Sequence, residues 1–198
     1  AERVIIYGHS LGAMLAAAVA AQRPERVCGI IMEDPPWQTM GSRIRETPLH
    51  SYFIGMAQLA GSRLPVSAVA EQFANLMVTD PQTGRSTRMG DVRDAVSLRF
   101  TASCLKRLQP EVLEPILSGQ WLDGVDLTAI AKAVRCPALV FQADLAAGGM
   151  LTDADASFLQ ATLAEGAVIR FPGAGHLIHW ARTRDVINHV LAFGETLW

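Results

Sequence analysis

The sequence predicts an α/β fold, with parallel sheet strands flanked by helices and a helical insertion in the middle. Two observations carry this. Short β-branched, apolar runs alternate with longer Ala/Leu-rich runs at both ends of the chain: Val4–Tyr7, Val27–Met32, Ala138–Phe141 and Ala167–Phe171. Val27–Met32 is continuously apolar rather than alternating, as expected of a parallel strand covered on both faces. The stretch from 37 to 125 breaks the pattern and carries helical periodicity with no strand signal.

The elements follow in order. Val4–Tyr7 predicts a strand and Leu11 to about Arg23 a helix, ended by Pro24. Val27–Met32 predicts the next strand, which two prolines, Pro35 and Pro36, forbid from continuing. Within the insertion, Thr39–Pro48 is polar and irregular. Helices are expected over Ser51–Leu59, Val66–Val78 and Asp91–Leu108, the last presenting Val92, Ala95, Val96 and Phe100 as its apolar face. Thr79–Met89, with Pro81 and Gly84, reads as a loop. Glu111–Leu117 reads as a short helix interrupted at Pro115. The sheet pattern resumes with a helix over Leu127–Val134 and a strand ending at Gln142-Ala143-Asp144. A helix follows from Thr152 to about Ala164, with Thr152 and Asp155 in capping-box positions and Gly166 past its end. Ala167–Phe171 opens into Pro172-Gly173-Ala174-Gly175-His176. A last helix over His179–Phe193 is expected to stop at Gly194. The expected organisation is therefore 1–36 and 126–198 as core, with 37–125 as a helical cap.

Composition narrows the function. Half of the 198 residues are hydrophobic, 18% are charged and the net charge is −2, which leaves no electrostatic footprint for nucleic acid or a membrane surface. Cys28, Cys104 and Cys136 have no metal-ligand spacing and read as small buried thiols in a reducing, cytoplasmic compartment. No metal or organic cofactor is implied.

The chemistry concentrates in Gly8-His9-Ser10-Leu11-Gly12. A serine at the apex of a strand-to-helix turn takes a strained backbone, and glycines two before and two after leave room where strand and helix nearly touch. The Leu11 amide, in the first turn of the helix, faces any oxyanion beside the serine. His176, held by glycines at a strand end, can supply a neutral imidazole as base. His9 is expected to pack beneath or beside the turn. His50, His179 and His189 read as satisfied surface or helix histidines.

With these residues the chain resembles an α/β-hydrolase over nearly its whole length. Gly8–Gly12, Arg23-Pro24-Glu25-Arg26-Val27 leading to Glu33-Asp34-Pro35, Cys136–Val140 and Pro172–His176 carry the resemblance. It implies a serine hydrolase using the order serine, acid, histidine: Ser10 as nucleophile, His176 as base and Asp144 as the acid. Asp34 is the alternative acid, because some relatives place it at the end of the second strand seen here. Asp153 and Asp155 read as helix N-terminal charges. A serine at the turn disfavours epoxide opening and dehalogenation, which use a carboxylate there. The expected substrate is a small, largely apolar ester, thioester, lactone or C–C bonded molecule under a helical cap. The alternatives are a non-catalytic ligand-binding or receptor protein, or a cofactor-free lyase or perhydrolase on the same triad. In the family, strands precede the elbow strand and a loop among them supplies a second oxyanion donor. The resemblance therefore implies an N-terminal complementing segment or a second copy as partner. Without it, Val4–Tyr7 would be an apolar edge strand and Leu11 the lone oxyanion donor.

Overall fold

The computed structural model describes residues 3–80 and 83–197, apart from the side chain of Ser42. Pro81, expected in a loop, lies outside the described residues. The backbone divides into two compact units, Ala1–Thr39 with Gly124–Trp198, and Met40–Asp123.

The first unit is built on a four-stranded parallel sheet. Its elements are β1 (Val4–His9), α1 (Leu11–Gln22) and β2 (Val27–Glu33), with two more strands and four helices after the second unit. The second unit holds α2 (Pro48–Leu59), α3 (Val66–Ala74), β3 (Met77–Thr79), β4 (Ser86–Arg88), α4 (Met89–Val92), α5 (Ala95–Leu105) and α6 (Glu114–Ser118). The chain then returns through α7 (Leu127–Ala133), β5 (Ala138–Ala143), α8 (Asp153–Thr162), β6 (Gly166–Phe171), α9 (Ile178–Ala181) and α10 (Thr183–Glu195).

The sheet order is β1-β2-β5-β6, every pairing parallel. The two inner strands, β2 and β5, are buried along their whole length, which is why their sequences carry no polar alternation. Ile31, Leu139, Phe141, Phe171, Ile178 and Val186 form the core between the sheet and the last helices. Phe141 and Phe171 meet edge to face with ring centroids 5.2 Å apart, an arrangement contributing about 0.5–1.5 kcal/mol beyond buried area. At the outer edge β1 pairs only with β2 among the described residues, and Val4 and Tyr7 are exposed. No helix among the described residues is long and apolar enough to cross a membrane.

Several local expectations need correction. The helix predicted over Val66–Val78 ends at Ala74, and Met77–Thr79 instead pairs antiparallel with Ser86–Arg88. Three-residue strands are too short to leave a period-two signal. The helix predicted over Asp91–Leu108 is split, because the Asp94 carboxylate accepts from Ser97 N–H at 2.8 Å and caps a new start at Ala95. The face proposed for it is turned out: Val92, Val96 and Phe100 are exposed, whereas Ala102 and Leu105 are buried with Val69 and Phe73. The final helix breaks at Arg182, where Thr183 Oγ1 donates to the His179 carbonyl at 2.7 Å, and it continues through Gly194 to Glu195. Gly166 opens β6 rather than ending α8. Thr152 does cap α8, its Oγ1 accepting from Asp155 N–H at 3.1 Å. Cys28 and Cys136 are buried, but Cys104 on α5 is exposed.

Candidate active site

Ser10 occupies the turn between β1 and α1 with φ 56° and ψ −125°. Its hydroxyl makes no capping bond to the helix that it precedes. Its amide donates to the Glu33 carbonyl at 2.9 Å, and its carbonyl accepts from Ala13 N–H at 2.9 Å. The backbone is thus fastened on both sides while the side chain is left without a structural task. Of the two glycines expected to make room, Gly8 does so: a Cβ there would lie 2.2 Å from the Gly12 carbonyl oxygen. At Gly12 a Cβ would meet open space, so this residue contributes its backbone to the close approach rather than a missing side chain. Leu11 is the first residue of α1, where amides have no acceptor inside the helix.

Asp34 follows the last residue of β2 and is fully buried. Its φ is 43°, and among the described residues only Ser10 and Asp34 combine a side chain with positive φ. Such conformations cost on the order of 1–3 kcal/mol each and gather at functional sites. The Asp34 carboxylate is surrounded by N–H donors. Oδ1 accepts from Ala143 N–H at 3.2 Å and Leu151 N–H at 3.1 Å, and Oδ2 from Met150 N–H at 2.8 Å. The fourth donor is His176 Nδ1–H, 2.6 Å from Oδ2.

The carboxylate bonded to His176 is thus that of Asp34, the alternative acid, and not that of Asp144, the preferred one. Asp144 stands at the end of β5, as expected, but its carboxylate faces backbone amides: Gly173 N–H at 2.8 Å and Ala146 N–H at 2.9 Å. These bonds, Gly173 foremost, hold its carboxyl below the usual carboxylate range. Asp144 braces the loop that carries His176 instead of touching the ring. That loop runs close to the residues after β5, and a Cβ on Gly175 would lie 2.5 Å from the Ala147 carbonyl oxygen.

The proton inventory of His176 follows from its partners. In the neutral ring, a carboxylate at Nδ1 keeps the proton there and makes Nε2 the acceptor. Ser10's chain neighbour is next to this ring: His9 and His176 have centroids 4.5 Å apart, and His9 Nε2–H donates to the His176 carbonyl at 2.9 Å. Burial, and then the neighbouring His176, push the His9 imidazole below its ordinary pKa. His9 therefore lies beside the turn as expected, but with a hydrogen-bonding role that sequence reasoning did not assign.

A second buried carboxylate was missed altogether. Glu33, adjacent to Asp34 and fully buried, accepts from the Tyr7 hydroxyl, from His179 N–H at 3.0 Å, and from His179 Nδ1–H at 2.8 Å. Burial and the bond to Glu33 raise the Tyr7 phenol well above its ordinary value. His179, expected to be a satisfied surface or helix histidine, finds its partner in this carboxylate. A glutamate closing an otherwise apolar run was the available signal, since a buried carboxylate demands donors. His9, Glu33 and His179 also place one potential ligand atom each within 4.8 Å of one another. Both Glu33 oxygens already serve hydrogen-bond donors, so a cation there would have to displace them. His50 and His189 behave as expected: His50 Nε2 bonds the Leu117 carbonyl at 3.3 Å, and His189 packs on Phe141 and Phe171.

Comparisons with known proteins agree with this architecture. A family profile described as "Alpha/beta hydrolase family" matches residues 1–189. The chain is 26% identical over 99% of its length to the biotin biosynthesis bifunctional protein BioHC of Cellvibrio japonicus, of which it covers 36%. It is 27% identical over 97% of its length to a carbamate hydrolase, RutD, of Klebsiella pneumoniae, itself named on inference, of which it covers 65%. The chain thus spans between a third and two thirds of these curated relatives. Among solved structures, an N-formylmaleamic acid deformylase from Pseudomonas putida superposes with a TM-score of 0.66 at 18% identity, over 96% of this chain and 66% of that one. An esterase from a marine microorganism gives a TM-score of 0.66 at 20% identity, over 97% of this chain and 70% of the other.

Proposed function

Because the chain belongs to the alpha/beta hydrolase family, we propose that it carries the catalytic residues of a serine hydrolase, with Ser10 as nucleophile, His176 as base and Asp34 as the acid. The observation that carries the reading is the His176 Nδ1–Asp34 bond of 2.6 Å, with Ser10 and Asp34 the only non-glycine residues of positive φ among the described residues. Ser10 Oγ attacks the scissile carbonyl while His176 Nε2 takes its proton. Asp34 holds the ring in the required tautomer and stabilises the imidazolium that forms. The Leu11 amide stabilises the oxyanion, and His176 then returns the proton to the leaving group. Water repeats the cycle on the acyl-enzyme.

The substrate class proposed is a small, largely apolar ester, thioester, lactone or C–C bonded molecule. Relatives named as a deformylase, an esterase and a carbamate hydrolase fit acyl transfer to water, each with its own substrate. The stretch from 37 to 125 is the cap that the resemblance implies. The free edge of β1 fits one further strand, from an N-terminal complementing segment or from a second copy. The test is labelling with a serine-directed fluorophosphonate together with turnover of chromogenic short-chain esters. Modification of Ser10 and loss of both signals in Ser10→Ala are expected. Active protein labelled at another residue would overturn the assignment.

A further inference from the structure

The hydrogen bonds around Glu33 form an arrangement that the proposed triad does not use. The register of β1 with β2 sets His9 beside Glu33, so the two strands end in the neighbouring pairs His9-Ser10 and Glu33-Asp34. In each pair one residue belongs to the proposed triad and the other holds the segment from 176 to 179. Asp34 takes the His176 ring, and His9 donates to the His176 carbonyl. Glu33 takes both the backbone N–H and the ring N–H of His179, where α9 begins. A regular strand would send Glu33 and Asp34 to opposite faces of the sheet. The positive φ of Asp34 lets both carboxylates reach the same segment.

We propose that Glu33, together with Tyr7, His179 and His9, is a positioning device for His176. The proposal rests on the triad reading given above. Glu33 is fully buried, so its carboxylate needs donors, and the bonds that satisfy it anchor the residue three positions beyond the base. Tyr7 supplies a further donor to Glu33 Oε2 from β1. His9 completes the clamp from the other side, where only its Nε2–H can face a carbonyl. Between these anchors the peptide of His176 has little freedom, and the ring keeps its bond to Asp34 without relying on that bond alone. Glu33 and His179 touch no reacting atom. They act through the placement of His176, where an error of about 1 Å costs on the order of a hundredfold in rate.

The experiment compares His179→Ala, His179→Asn and Tyr7→Phe with Ser10→Ala and the parent protein, using ester turnover and thermal unfolding. Asparagine places an N–H near the position of His179 Nδ1, so it can still donate to Glu33. His179→Ala should lower kcat at least tenfold while KM stays within threefold, and His179→Asn should recover most of that loss. Tyr7→Phe removes one donor to Glu33 and no carbon. It should lower kcat a few-fold at unchanged KM, and it decides the matter if His179→Ala does not fold. The positioning role is overturned if folded His179→Ala keeps kcat within twofold, if His179→Asn is as impaired as His179→Ala, or if Tyr7→Phe leaves kcat unchanged where His179→Ala does not fold. Failure of the triad reading gives a different result, namely turnover that survives Ser10→Ala.

Discussion

Replacing Asp34 with asparagine tests the proposed site most directly, because the structure predicts which hydrogen bonds the amide must break. All four Asp34 contacts come from N–H donors, at 3.2 and 3.1 Å on Oδ1 and at 2.8 and 2.6 Å on Oδ2. An asparagine has one acceptor oxygen. If that oxygen stays with Ala143 and Leu151, the NH2 group faces Met150 N–H and His176 Nδ1. The Met150 amide then loses its acceptor in a fully buried place, which costs about 1–3 kcal/mol of stability. His176 is driven to accept at Nδ1, its proton moves to Nε2, and it can no longer take the proton of Ser10. A wrong tautomer of this kind costs on the order of 10⁴-fold in kcat. The flipped amide would keep the His176 tautomer, but it leaves both Ala143 and Leu151 without an acceptor, so the first orientation is the favoured one. Asp144→Asn makes the contrast, because a half-buried side chain accepting two backbone amides loses little when one oxygen remains to accept. It should change kcat less than tenfold. Steady-state kinetics on a chromogenic ester, with unfolding followed by circular dichroism, measures both effects. Asp34→Asn within tenfold of the parent, or Asp144→Asn the more damaging of the two, would refute the reasoning.

Further outcomes follow from the same geometry. Ser10→Gly should abolish ester turnover yet raise stability by about 1 kcal/mol, because glycine accepts φ 56° without strain; denaturant midpoints measure it. Gly8→Ala should cost about 3 kcal/mol or more, since its Cβ would press on the Gly12 carbonyl, whereas Gly12→Ala meets open space and should be close to neutral in the same assay. The Asp144 carboxyl is held low by the Gly173 and Ala146 amides, so its contribution is present above the ordinary carboxylate range and is lost as pH falls through the depressed value. The difference in Tm between the parent and Asp144→Asn should therefore shrink as pH is lowered from about 6 towards about 2.

Much of this protein was already determined by local sequence. Apolar β-branched runs separated by helix formers dictated the strands, because a strand covered on both faces can carry few polar residues. The Gly8–Gly12 spacing singled out Ser10, since the close approach at Gly8 leaves no room for a Cβ. His176 was legible from the glycines that hold it at the end of β6. The identity of its partner was not. Asp34 and Asp144 both end buried strands, and nothing in either neighbourhood says which way a carboxylate turns. That was decided by the positive φ of Asp34 and by amides from Ala143, Met150 and Leu151, more than a hundred residues away. The Glu33–His179 pair was hidden for the same reason, its members being separated by 146 positions in the chain. Short-range patterns record what a residue needs, whether burial, a turn or a cap. Which donor meets a given acceptor depends on distances that only the assembled sheet brings within hydrogen-bond reach.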